Sequence, residues 1–299
     1  MSGLLSGGLT IGVVATSMSS ASGQGTPIGG AGSHFYLAGA GNTSGVASQD
    51  FEFGDPGDEV YFGDFINGNG VFGGDGRDDA MVRRGATFSI HGKGGRTFSY
   101  GDPGDTVLVG DWNGDGTDTL AVRRGNRFFV KNDVTTGVAD YEFVYGDPAD
   151  AVLVGNWDGD TSAADAAHPL TTDTIMVRRG NHFFVKNSTA TGIADYDFFF
   201  GAPGDAVLVG DWATAPVPGV TPGESGDYAD ALAVRRGNVY SLSDEVYFAE
   251  GQAGYGLGTR TTFAFGNPGD TAFTALLDYT YTVNGSPVTL YGDGLGVRR

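Results

Sequence analysis

Gly296-Val297-Arg298-Arg299 ends the chain halfway through a repeated unit, and the missing half stands near the other end. It reads Ser33-His34-Phe35-Tyr36-Leu37, leading to Asp50-Phe51-Glu52-Phe53-Gly54. Aligned on Val-Arg-Arg, the copies fall at Arg83-Arg84, Arg123-Arg124, Arg178-Arg179, Arg235-Arg236 and Arg298-Arg299. The clearest copy begins Tyr100-Gly101-Asp102-Pro103-Gly104-Asp105-Thr106-Val107-Leu108-Val109-Gly110-Asp111-Trp112. It continues through Leu120-Ala121-Val122-Arg123-Arg124-Gly125-Asn126-Arg127-Phe128-Phe129-Val130-Lys131 to Tyr141-Glu142-Phe143-Val144-Tyr145. Four short runs of Val, Phe and Tyr, parted by Gly, Asn, Asp and Pro, read as four β-strands.

A period of about 40 to 60 residues is too short to bury a core alone and suits one four-stranded propeller blade. Continuous apolar runs such as Ala151-Val152-Leu153-Val154 fit strands covered on both faces. The expectation is an all-β, five-bladed β-propeller of four-stranded antiparallel blades, its last blade closed by an N-terminal strand. Residues 34–299 form the propeller, in units of 54–100, 101–145, 146–200, 201–265 and 266–299 plus 34–53. Closure of this kind hides sheet edges. An open solenoid would need capping units, and none is visible.

The chain has 299 residues, no cysteine and a formal charge of −19, so rigidity has to come from packing, ring closure or metal. An acidic field repels phosphate backbones, which argues against nucleic acid as a partner, and attracts divalent cations. Residues 1–33 form a separate arm without a charged side chain. Its Leu4–Ala15 run resembles the apolar centre of a secretory signal, with Ser19–Gly23 as a place for cleavage, although no basic residue precedes it. A secreted or cell-surface location is expected. The run is too short and too broken by Gly and Ser to span a membrane.

Loop lengths separate two faces. The tight Gly-Asn hairpin and the Gly-Asp-Pro-Gly-Asp connection between blades lie at one end of the strands and hardly vary. Every long insertion lies at the other end: Ile66–Gly74, Ser162–Thr172, Ala213–Ala229 and Thr280–Gly292, with Asn132–Ala139, Asn187–Ala194 and Ser243–Thr261. Variable loops on a rigid frame are where binding tends to live.

Asp111-Trp112-Asn113-Gly114-Asp115-Gly116-Thr117-Asp118 is the sharpest chemical signal. Calcium takes six to eight oxygens, and Asp or Asn at alternate positions of a tight Gly-containing turn can converge on one point. Candidate ligands are Asp111, Asn113, Asp115, the Thr117 carbonyl and Asp118, and, in the next unit, Asn156, Asp158 and Asp160. Asx turns that need no metal are the competing reading. Here residues 34–299 resemble the FG-GAP/VCBS-type repeats of extracellular bacterial proteins and integrin heads, whose blades often carry Asp-rich calcium loops. The resemblance implies calcium at Asp111, Asn113 and Asp115, beside Gly116. It departs from the family pattern at Thr119, where a further Asp is usual.

Asp58, Asp105, Asp150, Asp205 and Asp270 recur with the ten arginines. Neighbouring strand residues point to opposite faces, so each pair sends one guanidinium to each side, where a carboxylate is expected to hold it. An aromatic follows the first strand in every unit: Phe65, Trp112, Trp157, Trp212 and Tyr279. These rings are expected mainly as core, with sugar stacking by Trp112, Trp157 and Trp212 as the other reading. In blade number and unit length the chain also resembles five-bladed animal lectins of the tachylectin type. No nucleophile constellation is present.

Three functional classes follow. The first is a non-catalytic, calcium-stabilised binding or adhesion module whose loop face meets a glycan or an extracellular protein. The second is a surface-assembly or filament-forming protein that self-associates through the arm. A glycoside-processing enzyme ranks third, because it needs two carboxyls singled out at a set separation.

Overall fold

The structure is a computed structural model of the chain. It describes residues 27–28, 30–38, 46–47, 49–67, 70–74, 78–91, 95–158, 172–210, 229–252, 254–283 and 286–299. Five sheets form a five-bladed β-propeller. Blade 1 holds Glu59–Gly63, Asp79–Arg84, Thr87–His91 and Thr97–Ser99, and blade 2 holds Thr106–Gly110, Thr119–Arg124, Arg127–Lys131 and Tyr141–Val144. Blade 3 begins with Ala151–Gly155, Thr174–Arg179, His182–Lys186 and Tyr196–Phe199, and blade 4 comprises Ala206–Gly210, Ala231–Arg236, Val239–Glu245 and Thr259–Ala264.

Blade 5 is built from both ends of the chain. Thr271–Val283 pairs with Ser286–Arg298, which pairs with His34–Leu37, which pairs with Gln49–Glu52. The register sets Phe35 opposite Arg298 and Tyr36 opposite Val297. His34 and Arg299 extend the pairing, each amide donating to the other's carbonyl at 3.2 and 2.9 Å. Ring closure by the two termini therefore stands as expected.

Each gap between blades is filled by its own wedge of apolar side chains. Blades 1 and 2 meet around Phe88, Phe98, Val107 and Leu120, and blades 2 and 3 around Phe128, Phe143, Val154 and Ile175. Blades 3 and 4 meet around Phe183, Phe198 and Leu232, and blades 4 and 5 around Tyr240, Phe263 and Leu295. The last wedge joins Phe35 and Phe273 of blade 5 to Val60 and Phe62 of blade 1. Five equivalent cores explain why no unit stands alone: each blade supplies one half of two cores.

Packing is close enough to dictate sequence. A Cβ on Gly110 would lie 2.8 Å from Val154 Cγ1 and 2.9 Å from Asp173 Oδ2 of the next blade, so the first strand has to end in glycine.

Three features depart from the sequence reading. Most of Thr280–Gly292 is not a loop, because 280–283 and 286–292 continue the two long paired strands of blade 5; 284–285 lie outside the described residues. The blade-4 insertion holds a 3-10 turn, Val246–Ala249, and a short strand, Tyr255–Gly256, that pairs parallel with Phe198 and Phe199 as a fifth strand of blade 3. The propeller also begins before residue 34. Ile28 is buried in the wedge between blades 5 and 1, and its amide donates to the Val60 carbonyl at 2.8 Å. The signal-like run lies outside the described residues.

Candidate functional site

The two ends of the strands carry different chemistry. At the base, the second arginine of each pair meets the recurring aspartate of its own blade. Arg124 Nε and Nη2 donate to the two oxygens of Asp105 at 2.8 and 2.7 Å. The same forked bond joins Arg84 to Asp58, Arg179 to Asp150 and Arg236 to Asp205, and Arg299 binds Asp270. These bonds hold Asp105, Asp205 and Asp270 below the usual carboxylate range and Asp58 at about 2. At Asp150 burial pushes the other way, and the Arg179 bonds prevail.

The first arginine of the pair meets the expectation of a carboxylate on both sides in blade 1, where Arg83 Nη1 donates to Glu59 Oε2 at 2.9 Å; the common pattern is different. In every blade this arginine reaches into the next blade and donates to main-chain carbonyls. Arg83 bonds Asp105 O at 2.7 Å, Arg123 bonds Asp150 O at 2.7 Å, and Arg178 bonds Asp205 O at 2.8 Å. Arg235 bonds Asp270 O, and Arg298 returns to blade 1 at Asp58 O, 3.0 Å. Arg298 also donates to Ile28 O and Gly32 O, which ties the arm into the seam. One carboxylate thus serves two blades: its side chain binds its own arginine and its carbonyl binds the preceding blade's.

At the opposite face the strand ends make a second junction. Asp118 Oδ2 accepts the Asp64 amide at 2.7 Å, while the Asp118 amide donates to Asp64 O at 2.9 Å. Asp173 is bonded to Asp111 in the same way, and Asp230 to Asn156. Asp118 is therefore directed to blade 1 rather than into its own loop. Asn156 likewise donates its amide to the next blade's carboxylate. Sequence reasoning missed this junction, although the alignment already set Asp118, Asp173 and Asp230 in one register.

The Asp111 loop closes around its own first carboxylate. Asp111 Oδ1 accepts the amides of Gly114 at 2.8 Å and Asp115 at 3.2 Å, and Oδ2 accepts that of Gly116 at 2.7 Å. Asn113 Nδ2 donates to Asp115 Oδ2 at 2.9 Å, and the Thr117 amide donates to Asp115 Oδ1 at 3.0 Å. Burial pushes the Asp111 carboxyl up to about 6; the three amide bonds oppose that shift, and the Asp115 charge adds to it. Asp173 is pushed well up by burial and then by the charges of Asp118 and Asp230.

As a calcium site, this loop fits in part. Asp111, Asn113 and Asp115 share one tight turn, and the uncompensated cost of the Asp111 charge is of the kind a cation offsets. Thr117 sends its hydroxyl to the Gly74 amide of blade 1, at 2.9 Å. Among the described residues no group of three or more Asp, Glu or His side chains converges as a metal cluster. Asp158 is half-buried, and Asp160 lies outside the described residues.

The aromatic residues at the strand ends pack between blades. Trp112 is 3% exposed and Trp157 1%, each within a wedge core, and Phe65 is buried in a third. Sugar stacking on Trp112 or Trp157 would require these rings to leave the core. Trp212 lies outside the described residues.

The fold class is that of a five-bladed propeller with a uniform, arginine-locked base and a diversified loop face. Protein-family models, curated proteins and solved structures were each compared with the chain, and none matches. Among the described residues no helix is long and apolar enough to cross a membrane.

Proposed function

We propose that the protein is a non-catalytic binding module, exported to the cell surface or secreted, that presents its loop face to a glycan or a protein. The observation behind this reading is the division between the two ends of the ring. All five base connections use the same arginine and aspartate bonds, whereas the opposite connections differ in length from blade to blade. Selection for a scaffold alone gives no reason to diversify one end.

Calcium is the proposed stabiliser, held by Asp111, Asn113 and Asp115, as the FG-GAP/VCBS resemblance implies, with the Thr117 carbonyl added from the spacing of the loop. Bound there, it would offset the buried Asp111 charge and stiffen the loop face. Scanning calorimetry in calcium and then in EGTA tests it. A reversible rise in melting temperature is expected, lost in Asp111→Asn and Asp115→Asn. An identical melt in both buffers would contradict calcium binding. Glycan-array and protein-binding assays test the loop face itself; loss of every signal on replacing the loop residues is expected, and a signal that survives would place binding elsewhere.

A further inference from the structure

Three blades carry the same small device where their third strand turns to the fourth. It reads Gly137-Val138-Ala139 in blade 2, Gly192-Ile193-Ala194 in blade 3 and Gly45-Val46-Ala47 in blade 5. In each, the alanine packs against an inter-blade core. The aliphatic residue before it stands in solvent: Val138 is 83% exposed, Ile193 86% and Val46 92%. Among the described residues these are the three most exposed large hydrophobic side chains. Single exposed aliphatics need no explanation, but recurrence at one register of three blades is not a scatter.

The blade-2 and blade-3 copies are also held rigid. Lys131 is buried beneath its loop and paired with Asp133 at 2.8 Å, and Lys186 is buried near Asp195 at 3.7 Å. A Cβ on Gly137 would lie 3.4 Å from Lys131 Nζ, and one on Gly192 3.3 Å from Lys186 Nζ, so each lysine stem props the tip. The Asn132 amide donates to Asp140, and the Asn187 amide to Asp195, closing both loops. Thr136 and Thr191 accept the Ser99 and Val144 amides of the preceding blade's outer strand, at 3.0 and 2.9 Å. Side chains ordered in advance lose less entropy on association.

Charge narrows the partner. Asp133 and Asp195 are partly exposed beside the tips, the lysines of these loops are buried, and the whole chain carries −19. A second copy, a nucleic acid or an anionic membrane would each bring like charge. The three tips sit on blades 2, 3 and 5, so a ligand touching all of them has to reach across the face, which suits a protein better than a short glycan.

We propose that Val46, Val138 and Ile193 are the contact points of a protein-docking surface, and that its partner is a basic protein presenting aliphatic side chains. This rests on the reading that the loop face binds, and narrows it to one class of ligand. The test compares the full chain with a Val46→Ser, Val138→Ser, Ile193→Ser triple variant. The probes are a cationic amphipathic Leu/Lys peptide, polylysine, phosphatidylcholine vesicles and a neutral glycan array.

The expected result is salt-sensitive binding of the Leu/Lys peptide that weakens at least tenfold, about 1.4 kcal/mol, in the variant. Polylysine should bind both proteins equally and weakly, and the melting temperature should not move. Equal affinity of the two proteins for the Leu/Lys peptide, or no affinity in either, overturns the proposal. So does vesicle binding lost in the variant, which would assign the tips to lipid, and so does a lowered melting temperature, which would assign them to packing. Glycan binding that survives the triple substitution would leave the broader binding function standing while removing this partner.

Discussion

At the base of the ring Asp58 and its four counterparts face guanidinium groups, whereas at the loop face Asp111 and Asp173 face backbone amides and other carboxylates. The same side chain is thus held in opposite electrostatic settings about one strand length apart. The base carboxylates ionise more readily than in the unfolded chain, and the loop-face ones less readily. Among the described residues, guanidinium groups meet the five base aspartates, whereas burial holds Asp111 and Asp173 away from their charged form. On the proposed function, the loop face is the end where a cation would offset the buried charge.

The largest effect that would break this contrast is expected at the seam. Arg298 is 2% exposed and bonds three carbonyls, two of the arm and one of blade 1. Arg298→Ala should cost about 3 kcal/mol or more in urea unfolding, because it leaves buried main-chain carbonyls without their donor. Arg299→Ala, next to it but partly exposed, should cost only about 1 kcal/mol. Equal costs would mean that the carbonyl bonds do not lock the blades.

The second effect is on pH. Depressed carboxylates contribute stability that is present above about pH 4 and lost as the pH falls toward their lowered folded values, about 2 for Asp58. Asp111 acts in the opposite sense. With its folded value near 6, the native state holds a proton that the unfolded chain has released, so stability falls as pH rises from about 4 to 6. Calcium-free protein should therefore be most stable near about pH 4 to 5. The part of the decline above that range which Asp111 carries should amount to about 3 kcal/mol, with Asp173 acting in the same sense. Asp111→Asn should shrink this upper limb by the share that Asp111 carries in a series of chemical melts, and calcium should reverse that share.

A smaller contrast sharpens the same point through the backbone. Gly101 has a φ of +67°, and a Cβ there would come within 2.8 Å of Val122 and 2.9 Å of Asp105. Gly116 in the Asp111 loop has a φ of +80° but open space around it. Gly101→Ala should cost about 2–3 kcal/mol and Gly116→Ala about 1 kcal/mol, as the left-handed conformation alone requires. Thermal melts of the two variants would separate them by several degrees.

The ring could be read from the residues because its determinants are periodic. The split unit at Val297-Arg298-Arg299 and Phe35-Tyr36 predicted the seam, and the recurring Asp58 and Arg84 positions predicted their pairing. The carbonyl partners of Arg83, Arg123, Arg178, Arg235 and Arg298 leave no trace in a sequence, because any residue can supply a main-chain oxygen. The parallel pairing of Tyr255-Gly256 was hidden for a related reason, since two residues carry too little pattern to announce a strand. Thr280–Gly292 reads as an insertion between the first and second strands, although its Thr, Tyr and Val content favours extended chain. Of the loop-face chemistry, the clustering of Asp111, Asn113 and Asp115 was legible, but the direction of Asp118 depends on the neighbouring blade. The Gly-Val-Ala and Gly-Ile-Ala triplets went unread, because only burial separates the inward alanine from the outward aliphatic.

Closure of the ring by the two termini can be tested with a single covalent bond. His34 and Arg299 exchange both backbone hydrogen bonds, which places their Cα atoms about 5.5 Å apart, within disulfide range. The natural sequence has no cysteine to compete. A His34→Cys, Arg299→Cys variant is predicted to oxidise within one molecule and to be stabilised, relative to its reduced form, by on the order of 4 kcal/mol. A variant that stays reduced, or that cross-links only between molecules, would show that the first and last strands do not share a sheet.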